Sequence, residues 1–267
     1  TMGVVGAGFY EYEKEYVFAT VETLNRDTHL FQYQPDAFDC IILDEAHHSS
    51  NNIYTKVINY FKPKLFLGMT ATPDKGDDNQ QGKNIYEIFH YQIAYEIRLQ
   101  QAMEEDLLCP FHYFGISEIV SLDDKMLQAT KLTDAAFNQL TSDERVRHII
   151  EQSEYYGYSG NRVKGLIFCS RVKECEELSK KFNELGYRTV ALSGNDNEDK
   201  RQEAFERLAM DEEDATKDRQ PLDYIFSRDI LNEGVDIVEV NQVIMLRPTQ
   251  SPIVFIQQLG RGLRKAP

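Results

Sequence analysis

The sequence predicts an α/β protein with two units, each built around a mostly parallel sheet. Short apolar runs, typical of buried strands, alternate with segments of helical period in both halves of the chain. Polar residues directly follow several of these runs, which is where open parallel sheets bind their ligands. A length of 267 residues is sufficient for two domains of ordinary size.

Composition and charge exclude several classes of protein. Hydrophobic residues make up 42% of the chain, enough for a packed core. The net charge of −15, from 29 basic and 44 acidic residues, argues against a generally cationic nucleic-acid binder, although it permits a local basic groove. No apolar run approaches the ~20 residues of a membrane span, and no secretory leader pattern is found. We therefore expect a cytoplasmic protein without a membrane partner.

The cysteines are expected to be buried free thiols in a reducing compartment. None belongs to a C-x-x-C pair, and two of them lie in apolar, strand-like runs. They are Cys40, Cys109, Cys169 and Cys175.

The N-terminal residues 1–16 are expected to form a loop, because no strand precedes their glycines and no Lys-Ser/Thr pair follows them. A strand is predicted over 16–20, followed by a turn into a helix. At this junction the hydroxyls of Thr20 and Thr23 can bond the phosphates of a nucleic-acid backbone. Helix capping explains the two threonines equally well.

An apolar strand at 40–43 ends in two carboxylates, Asp44 and Glu45. In P-loop nucleoside triphosphatases, such a strand end places a magnesium-holding Asp beside a carboxylate that positions water. A surface turn after a strand is the alternative interpretation. His47 and His48 follow, but their spacing is not that of the zinc motif H-E-x-x-H.

After a helix predicted over 53–61, a second apolar strand at 65–69 is followed by Thr70 and Thr72. These two hydroxyls flank an alanine and can bond the groups at the end of the preceding strand, including His47. The later stretch 76–84 has the glycines of a phosphate loop but the wrong spacing and no Ser/Thr at its end, so we interpret it as a polar loop.

The connection between the units is expected to consist of a strand at 110–119 and helical segments over 121–157. We place a first domain at 1–118, a helical connection at 119–160 and a second domain at 161–267.

In the second unit, strands and helices alternate as in a parallel sheet covered on both faces. The predicted strands are 165–169, 188–192, 222–226 and 243–246, and the predicted helices include 172–185 and 198–210. Polar residues again follow the strands: Ser170, Arg171, Ser193, the run 227–236 and Thr249. Within that run Gly234 permits close approach of the backbone to a ligand, and Asp236 can accept from a ribose hydroxyl or order nearby arginines.

The last stretch contains Gln257, Arg261 and Arg264. The arginines are three residues apart, so on a helix they project from one face, where two guanidiniums can neutralise charge on a γ-phosphate. Gln257 lies one helical turn earlier and can orient the attacking water or the phosphate. The alternative is a basic helix end stabilised by the helix dipole.

The runs 44–47, 70–72, 170–171, 227–236 and 257–264 resemble motifs II, III, IV, V and VI of superfamily 2 helicases, in that order. The sequence is more similar to DEAH-type bacterial helicases and restriction-enzyme motors than to RNA-specific DEAD-box proteins. Two features favour this subgroup: motif II ends in His47, and motif VI begins with Gln257.

The resemblance implies two tandem RecA-like domains with ATP and Mg²⁺ bound between them. It implies that Asp44 holds Mg²⁺ through water and that Glu45, Gln257, Arg261 and Arg264 join it in catalysis. It further assigns His47, Gly234 and Asp236 to the nucleotide and Thr70 and Thr72 to coupling between nucleotide and nucleic acid. The residues implied to contact nucleic acid are Thr20, Thr23, Ser170, Arg171, Ser193 and Thr249.

Motif I, the Gly-rich loop with its phosphate-binding lysine, is not found in the sequence. We therefore expect the first domain to be N-terminally truncated, this chain to be inactive alone, and the parent protein to be an active helicase or translocase. The expected partners are nucleic acid, DNA rather than RNA, and accessory domains of the same longer polypeptide. Two alternatives stay open: a double-strand DNA translocase subunit of a restriction or remodelling system, and a non-catalytic nucleic-acid-binding scaffold.

Overall fold

Two units, residues 1–96 and 97–267, make up the computed structural model of the chain. Because each unit contains its own sheets and its own core, they are described separately. The residues that the structure describes are 1–49, 51–73, 84–117, 119, 133–231, 239–247 and 252–263. None of the helices in these ranges combines the length and apolar character needed to cross a membrane.

The first unit begins with a three-stranded sheet in which β1 (Met2–Gly6) pairs antiparallel with β2 (Phe9–Tyr10) and parallel with β3 (Tyr16–Ala19). The prediction of a loop over 1–16 was therefore wrong, whereas the strand predicted next is confirmed. A two-residue turn explains the difference: Ala7 and Gly8 both have positive φ, 50° and 89°. Such turns match the twist of paired strands and close tight hairpins.

The strand that carries the two carboxylates, β4 (Cys40–Leu43), pairs in parallel with β5 (Leu65–Gly68), and the connection between them contains a helix. The in-register pairing brings both strand ends to the same edge. The helices of this unit are α1 (Val21–Leu24), α2 (Asp27–Leu30), α3 (Asn52–Tyr60) and α4 (Ile85–Ile88). Its core is formed by Leu30, Tyr33, Val57 and Phe61.

One face of the β4–β5 sheet is open to solvent in the described part of the chain. Ile41 packs towards the core, whereas its neighbour Ile42 on the opposite face is 58% exposed. Cys40 shares that outer face and is exposed, so the prediction that it is buried was wrong. Cys169 and Cys175, by contrast, are buried free thiols as predicted, and burial raises the pKa of the Cys169 thiol.

The second unit contains α5 (Leu99–Glu104) and then a segment, 110–117, that forms no strand, contrary to the prediction. Its aromatic residues pack against side chains instead of entering a ladder: the ring of Phe114 stacks on Tyr156 at a centroid distance of 4.0 Å. Aromatic content raises strand propensity, but the propensity is realised only where a partner strand is available.

The helical segments predicted over 121–157 are α6 (Asp134–Leu140) and α7 (Asp143–Tyr156) in the described part of the chain; residues 120–132 lie outside the described ranges. The break has a local cause, because Ser142 caps the second helix and its hydroxyl accepts a hydrogen bond from the backbone N–H of Arg145 at 3.3 Å.

Four parallel strands in the order β7-β8-β6-β9 form the sheet of the second unit. They are β6 (Gly165–Phe168), β7 (Thr189–Leu192), β8 (Tyr224–Ser227) and β9 (Gln242–Met245). The helices that follow α7 are α8 (Val172–Glu184), α9 (Glu198–Ala209) and α10 (Pro252–Leu259). The alternation of strand and helix confirms the predicted α/β class for this unit.

Helices cover both faces of this sheet. Ile167 and Phe226 point to one face, where they pack with residues of α7 and α8. Leu166 and Ile225, their neighbours along the strands, point to the other face and pack with residues of α9. All four strands therefore run through a two-sided core and end at one common carboxyl edge.

The opposite edge of this sheet is held by Arg162, which is 8% exposed. Its Nη1 donates to the carbonyl oxygens of Leu208 and Met210 at 3.0 and 2.9 Å, and its Nη2 donates to that of Leu222. One guanidinium thus closes the connection between α9 and β8.

Replacing Arg162 with methionine is expected to lower the free energy of unfolding by about 3 kcal/mol, because the buried carbonyl oxygens lose their donors. Urea denaturation followed by circular dichroism measures the change. Arg219→Met is the matched control, since the side chain of Arg219 is 46% exposed and pairs with Glu206. Equal midpoints for the two variants would contradict the role given to Arg162.

Candidate functional site

The two carboxylates predicted from the sequence lie at the carboxyl end of β4. Asp44 is exposed, and its Oδ1 accepts a hydrogen bond from the backbone N–H of Glu45 at 2.9 Å. Glu45 adopts the left-handed conformation, with φ 47° and ψ 47°, and starts a 3-10 turn over Ala46–His48. A non-glycine residue in this region is uncommon, and such residues cluster at functional sites.

His47 joins the ends of the two strands. It is 3% exposed, and its Nδ1 lies 3.0 Å from Oγ1 of Thr70 and 3.2 Å from Oε2 of Glu45. Thr70 Oγ1 in turn accepts from the backbone N–H of Thr72 at 3.1 Å. The structure therefore brings the carboxylate, the histidine, the Thr70 hydroxyl and the backbone N–H of Thr72 into one connected cluster, which we call the His47 cluster. The Thr72 hydroxyl, which was predicted to bond this strand end, is buried and has no hydrogen-bond partner among the described residues.

The Asp44 carboxylate is a ligand of the kind that Mg²⁺ prefers. No group of three or more His, Cys, Asp or Glu side chains suited to a metal occurs within the described ranges. Mg²⁺ is commonly bound by one or two carboxylates together with substrate phosphates and water. The exposed carboxylate of Asp44, directly after a parallel strand, fits that chemistry.

The threonines at the start of α1 contact each other. Thr20 Oγ1 donates to Thr23 Oγ1 at 2.8 Å, and the Thr20 side chain accepts no hydrogen bond from the backbone N–H groups of the first helical turn. The structure therefore shows no capping of this helix by the Thr20 side chain, which was the alternative interpretation of these residues. Thr20 is exposed and Thr23 is half-buried.

At the carboxyl edge of the second unit, Ser170 and Arg171 follow β6 as predicted. Arg171 is the residue that caps α8. The hydroxyl oxygen of Ser170 is buried and, among the described residues, has no hydrogen-bond partner. A buried hydroxyl without a partner is uncommon, so this position is suited to receiving a ligand group.

Ser193, which follows β7, has a local role in the structure. Its hydroxyl donates to Oδ2 of Asp196 at 3.1 Å, and its backbone N–H donates to the same oxygen at 2.7 Å. A hydrogen bond from Lys200, aided by those from Ser193, holds the pKa of the Asp196 carboxyl below its usual value. The Ser193 side chain therefore closes the turn after its strand.

Two arginines at this edge were not singled out from the sequence. Arg247 follows β9, and its Nη1 donates to Oδ1 of Asp229 at 2.8 Å, which joins the ends of β9 and β8. Arg201 on α9 donates to the carbonyl oxygen of Gly194 at 2.9 Å. A basic residue directly after an apolar strand, as in the case of Arg247, was the signal that sequence reasoning passed over.

The C-terminal motif departs from its prediction. The α-helix ends at Leu259, and Arg261 lies in a 3-10 turn over Gly260–Gly262, so the helix ends before Arg261. Two glycines in three residues explain the end of the helix, since glycine is a poor helix former. Arg261 is 8% exposed, and Gln257 is half-buried.

Four predicted site residues lie outside the described residues, as does the polar loop at 74–83. These residues are Gly234, Asp236, Thr249 and Arg264.

Two family models match the sequence. The model for the type III restriction enzyme, res subunit, matches residues 6–75, which include the His47 cluster. The model for the helicase conserved C-terminal domain matches residues 144–266, which include the carboxyl edge of the second unit.

Relatives with curated names agree with these matches. IRC3 of Saccharomyces cerevisiae, a candidate ATP-dependent helicase, is 23% identical over 259 residues, covering 94% of this chain and 35% of that protein. The type I restriction enzyme EcoAI endonuclease subunit of Escherichia coli is 23% identical over 262 residues, covering 87% of this chain and 30% of that protein. The chain thus spans about a third of the length of these relatives.

Solved structures share the fold. A fragment of a candidate HsdR subunit of a type I restriction enzyme from Vibrio vulnificus YJ016 has a TM-score of 0.72 at 21% identity, over 98% of this chain and 47% of that chain. S. cerevisiae Dbp5 bound to RNA and ADP BeF3 has a TM-score of 0.53 at 14% identity, over 98% of this chain and 60% of that chain. The fold class is therefore α/β with parallel sheets of the RecA-like type.

The chain is thus similar to a restriction-enzyme res subunit over residues 6–75 and to helicase C-terminal domains over residues 144–266. Proteins described as restriction-enzyme subunits and as ATP-dependent helicases are both among its relatives.

Proposed function

We propose that this chain is part of an ATP-dependent motor that moves along nucleic acid. The observation that carries the proposal is the His47 cluster, in which a strand-end carboxylate, a buried histidine and a threonine that follows the next strand are joined within 3.2 Å. This arrangement allows a change at the carboxylate to reach the neighbouring strand end. The family matches in both units support the same function.

In this proposal ATP is the substrate, and its γ-phosphoryl group passes to water with ADP as the leaving group. The Asp44 carboxylate would hold Mg²⁺, which would neutralise charge on the phosphates, and Glu45 accepts a proton from the attacking water. His47 orients the Glu45 side chain, since Nδ1 of the histidine lies 3.2 Å from the carboxylate. Thr70 and Thr72 transmit the state of this cluster along the chain.

Further residues, all in the second unit, are proposed to interact with the nucleotide through positive charge and through backbone that can approach it closely. Arg261 and Arg264 neutralise charge on the γ-phosphate, and Gln257 orients the water or the phosphate. Gly234 and Asp236 complete the nucleotide contacts. The side chains proposed to contact phosphates of the nucleic acid are those of Thr20, Thr23, Ser170, Arg171, Ser193 and Thr249.

DNA is the proposed nucleic acid, because type I restriction subunits are among the relatives and the restriction enzyme LlaBIII, a structural neighbour, was solved bound to DNA. Translocation on double-stranded DNA without strand separation is the second candidate function, favoured by the same relatives. A displacement assay on a forked duplex and a triplex-displacement assay on plain duplex distinguish the two. A cytoplasmic location is part of this proposal.

ATP hydrolysis is expected to require an upstream glycine-rich loop with a phosphate-binding lysine. The 267-residue chain should therefore show negligible hydrolysis, and a longer polypeptide that includes such a loop should hydrolyse ATP when DNA is added. A coupled ATPase assay of both proteins, with and without single-stranded and double-stranded DNA, tests this. Normal DNA-stimulated hydrolysis by the chain alone contradicts the first expectation; no hydrolysis by the longer protein favours a non-catalytic scaffold.

A further inference from the structure

A buried ion pair lies beside the carboxyl edge of the second unit. Arg145 on α7 and Glu174 on α8 are both 0% exposed, and Nη1 of the arginine donates to Oε1 of the glutamate at 3.0 Å. Charged side chains are almost never fully buried unless they are paired and hydrogen-bonded. The contacts of this pair therefore identify what it holds in place.

The glutamate holds the end of β6. Its second oxygen, Oε2, accepts a hydrogen bond from the backbone N–H of Ser170 at 2.9 Å. In a capping box, the glutamate at the third helical position bonds the backbone of the capping residue. Here the capping residue is Arg171, and Glu174 reaches one residue further back. It thereby fixes the backbone of the loop that the proposed function assigns to nucleic acid.

The arginine holds two further segments. Its Nη1 also donates to the carbonyl oxygen of Leu140 at 2.7 Å, which ties it to the end of α6. Its Nη2 donates to the carbonyl oxygen of Leu246 at 3.5 Å, at the end of β9. One buried pair therefore joins the loop after β6 to the residues that lead from β9 to Arg247.

Stability alone does not account for such a pair. Replacing a buried ion pair with well-packed apolar residues of similar volume is often neutral or stabilising. What apolar residues do not supply is a directed hydrogen bond to the Ser170 N–H and to the Leu246 carbonyl. The pair is thus suited to fixing the relative positions of two strand ends.

We propose that Arg145 and Glu174 are positioning residues for nucleic-acid binding. They hold the loop of Ser170 and Arg171 at a fixed position relative to the segment after Leu246, so that both contact the same stretch of phosphate backbone. This inference rests on the proposed function of the carboxyl edge. It adds two residues that do not themselves touch the ligand.

Glu174→Gln tests the proposal. An amide can accept from only one of the two partners of Glu174, because its NH2 group must face either the guanidinium or the Ser170 N–H. Affinity of the 267-residue chain for a fluorescent single-stranded oligothymidylate is measured by anisotropy over a series of salt concentrations. Glu176→Gln is the matched control, because it removes the same charge from an exposed position of the same helix.

The expected result is about tenfold weaker binding for Glu174→Gln, with the slope of log K against log salt reduced by about one, corresponding to the loss of one phosphate contact. A merely structural loss lowers the folded fraction but leaves that slope unchanged. In the Arg171→Ala background, Glu174→Gln should weaken binding no further, because both changes act through the same loop.

Amide hydrogen exchange at Ser170 supplies a second readout, with faster exchange expected in Glu174→Gln than in Glu176→Gln. If Glu174→Gln does not fold, Arg145→Lys keeps the charge and loses the fork that reaches Leu246, and it should reduce the salt slope in the same way. If a folded Glu174→Gln or Arg145→Lys variant binds with wild-type affinity and salt slope, the inference about the ion pair is wrong. That result leaves the proposed nucleic-acid function standing. Absence of binding by wild type and by Glu176→Gln overturns the proposed nucleic-acid function, and this inference with it.

Discussion

Replacing Glu45 with glutamine in the full-length polypeptide is expected to lower DNA-stimulated ATP hydrolysis by a factor of about 10²–10⁴, the usual contribution of general-base catalysis. Glutamine keeps the size of the side chain and an oxygen that can meet the Nδ1 of His47, which lies 3.2 Å from the glutamate. It cannot accept a proton from water. The affinity for ATP and the fold should therefore be retained while the chemical step is lost.

Single-turnover hydrolysis and binding of a fluorescent ATP analogue separate these two effects. Glu13→Gln is the control, since Glu13 is exposed and belongs to the same unit. Loss of analogue binding in Glu45→Gln would show that the residue holds the nucleotide rather than activating water. Unchanged hydrolysis would remove Glu45 from the proposed mechanism.

Replacing Arg261 with alanine in the full-length polypeptide is expected to reduce the rate of ATP hydrolysis by about 10³–10⁵, the range reported for arginine fingers. Lysine at this position should not restore the rate, because its ammonium lacks the planar fork that binds phosphate oxygens in pairs. Affinity for DNA should remain within about threefold of wild type, because Arg261 is assigned to the nucleotide.

Burial makes a control for folding essential, because Arg261 is 8% exposed. Thermal unfolding of Arg261→Ala and Arg261→Lys, compared with Arg219→Ala, shows how much stability each change removes. A lysine variant that hydrolyses ATP at the wild-type rate would mean that charge alone is needed. An alanine variant with the wild-type rate would leave Arg261 a structural residue in the 3-10 turn after α10.

The sequence was sufficient for most of the fold because its strands and helices are local patterns. Short, mainly apolar runs became β4, β5, β6 and β8, and the helices between them begin and end within a few residues of their predicted limits. The candidate site could also be anticipated, since polar residues at the ends of parallel strands necessarily share one edge. The proximity of His47 and Thr70 follows from this rule.

Contacts between distant segments could not be read in the same way. Burial of Cys40 was predicted from an apolar run, but exposure depends on what covers that face of the sheet. The aromatic segment at 110–117 has strand propensity, yet its side chains stack on α7 instead. The pairs Arg247–Asp229 and Arg145–Glu174 join residues 18 and 29 positions apart, and no spacing rule connects them.

The sequence by itself determined the α/β class, the order of the elements and the strand ends at which chemistry is placed. These depend on hydrophobic period and on turn residues, which act over a few positions of the chain. Only the tertiary structure decided which faces are covered, which arginines are buried and which carboxylates pair with them. Those outcomes depend on packing between segments far apart in sequence, where desolvation and hydrogen-bond geometry select the partner.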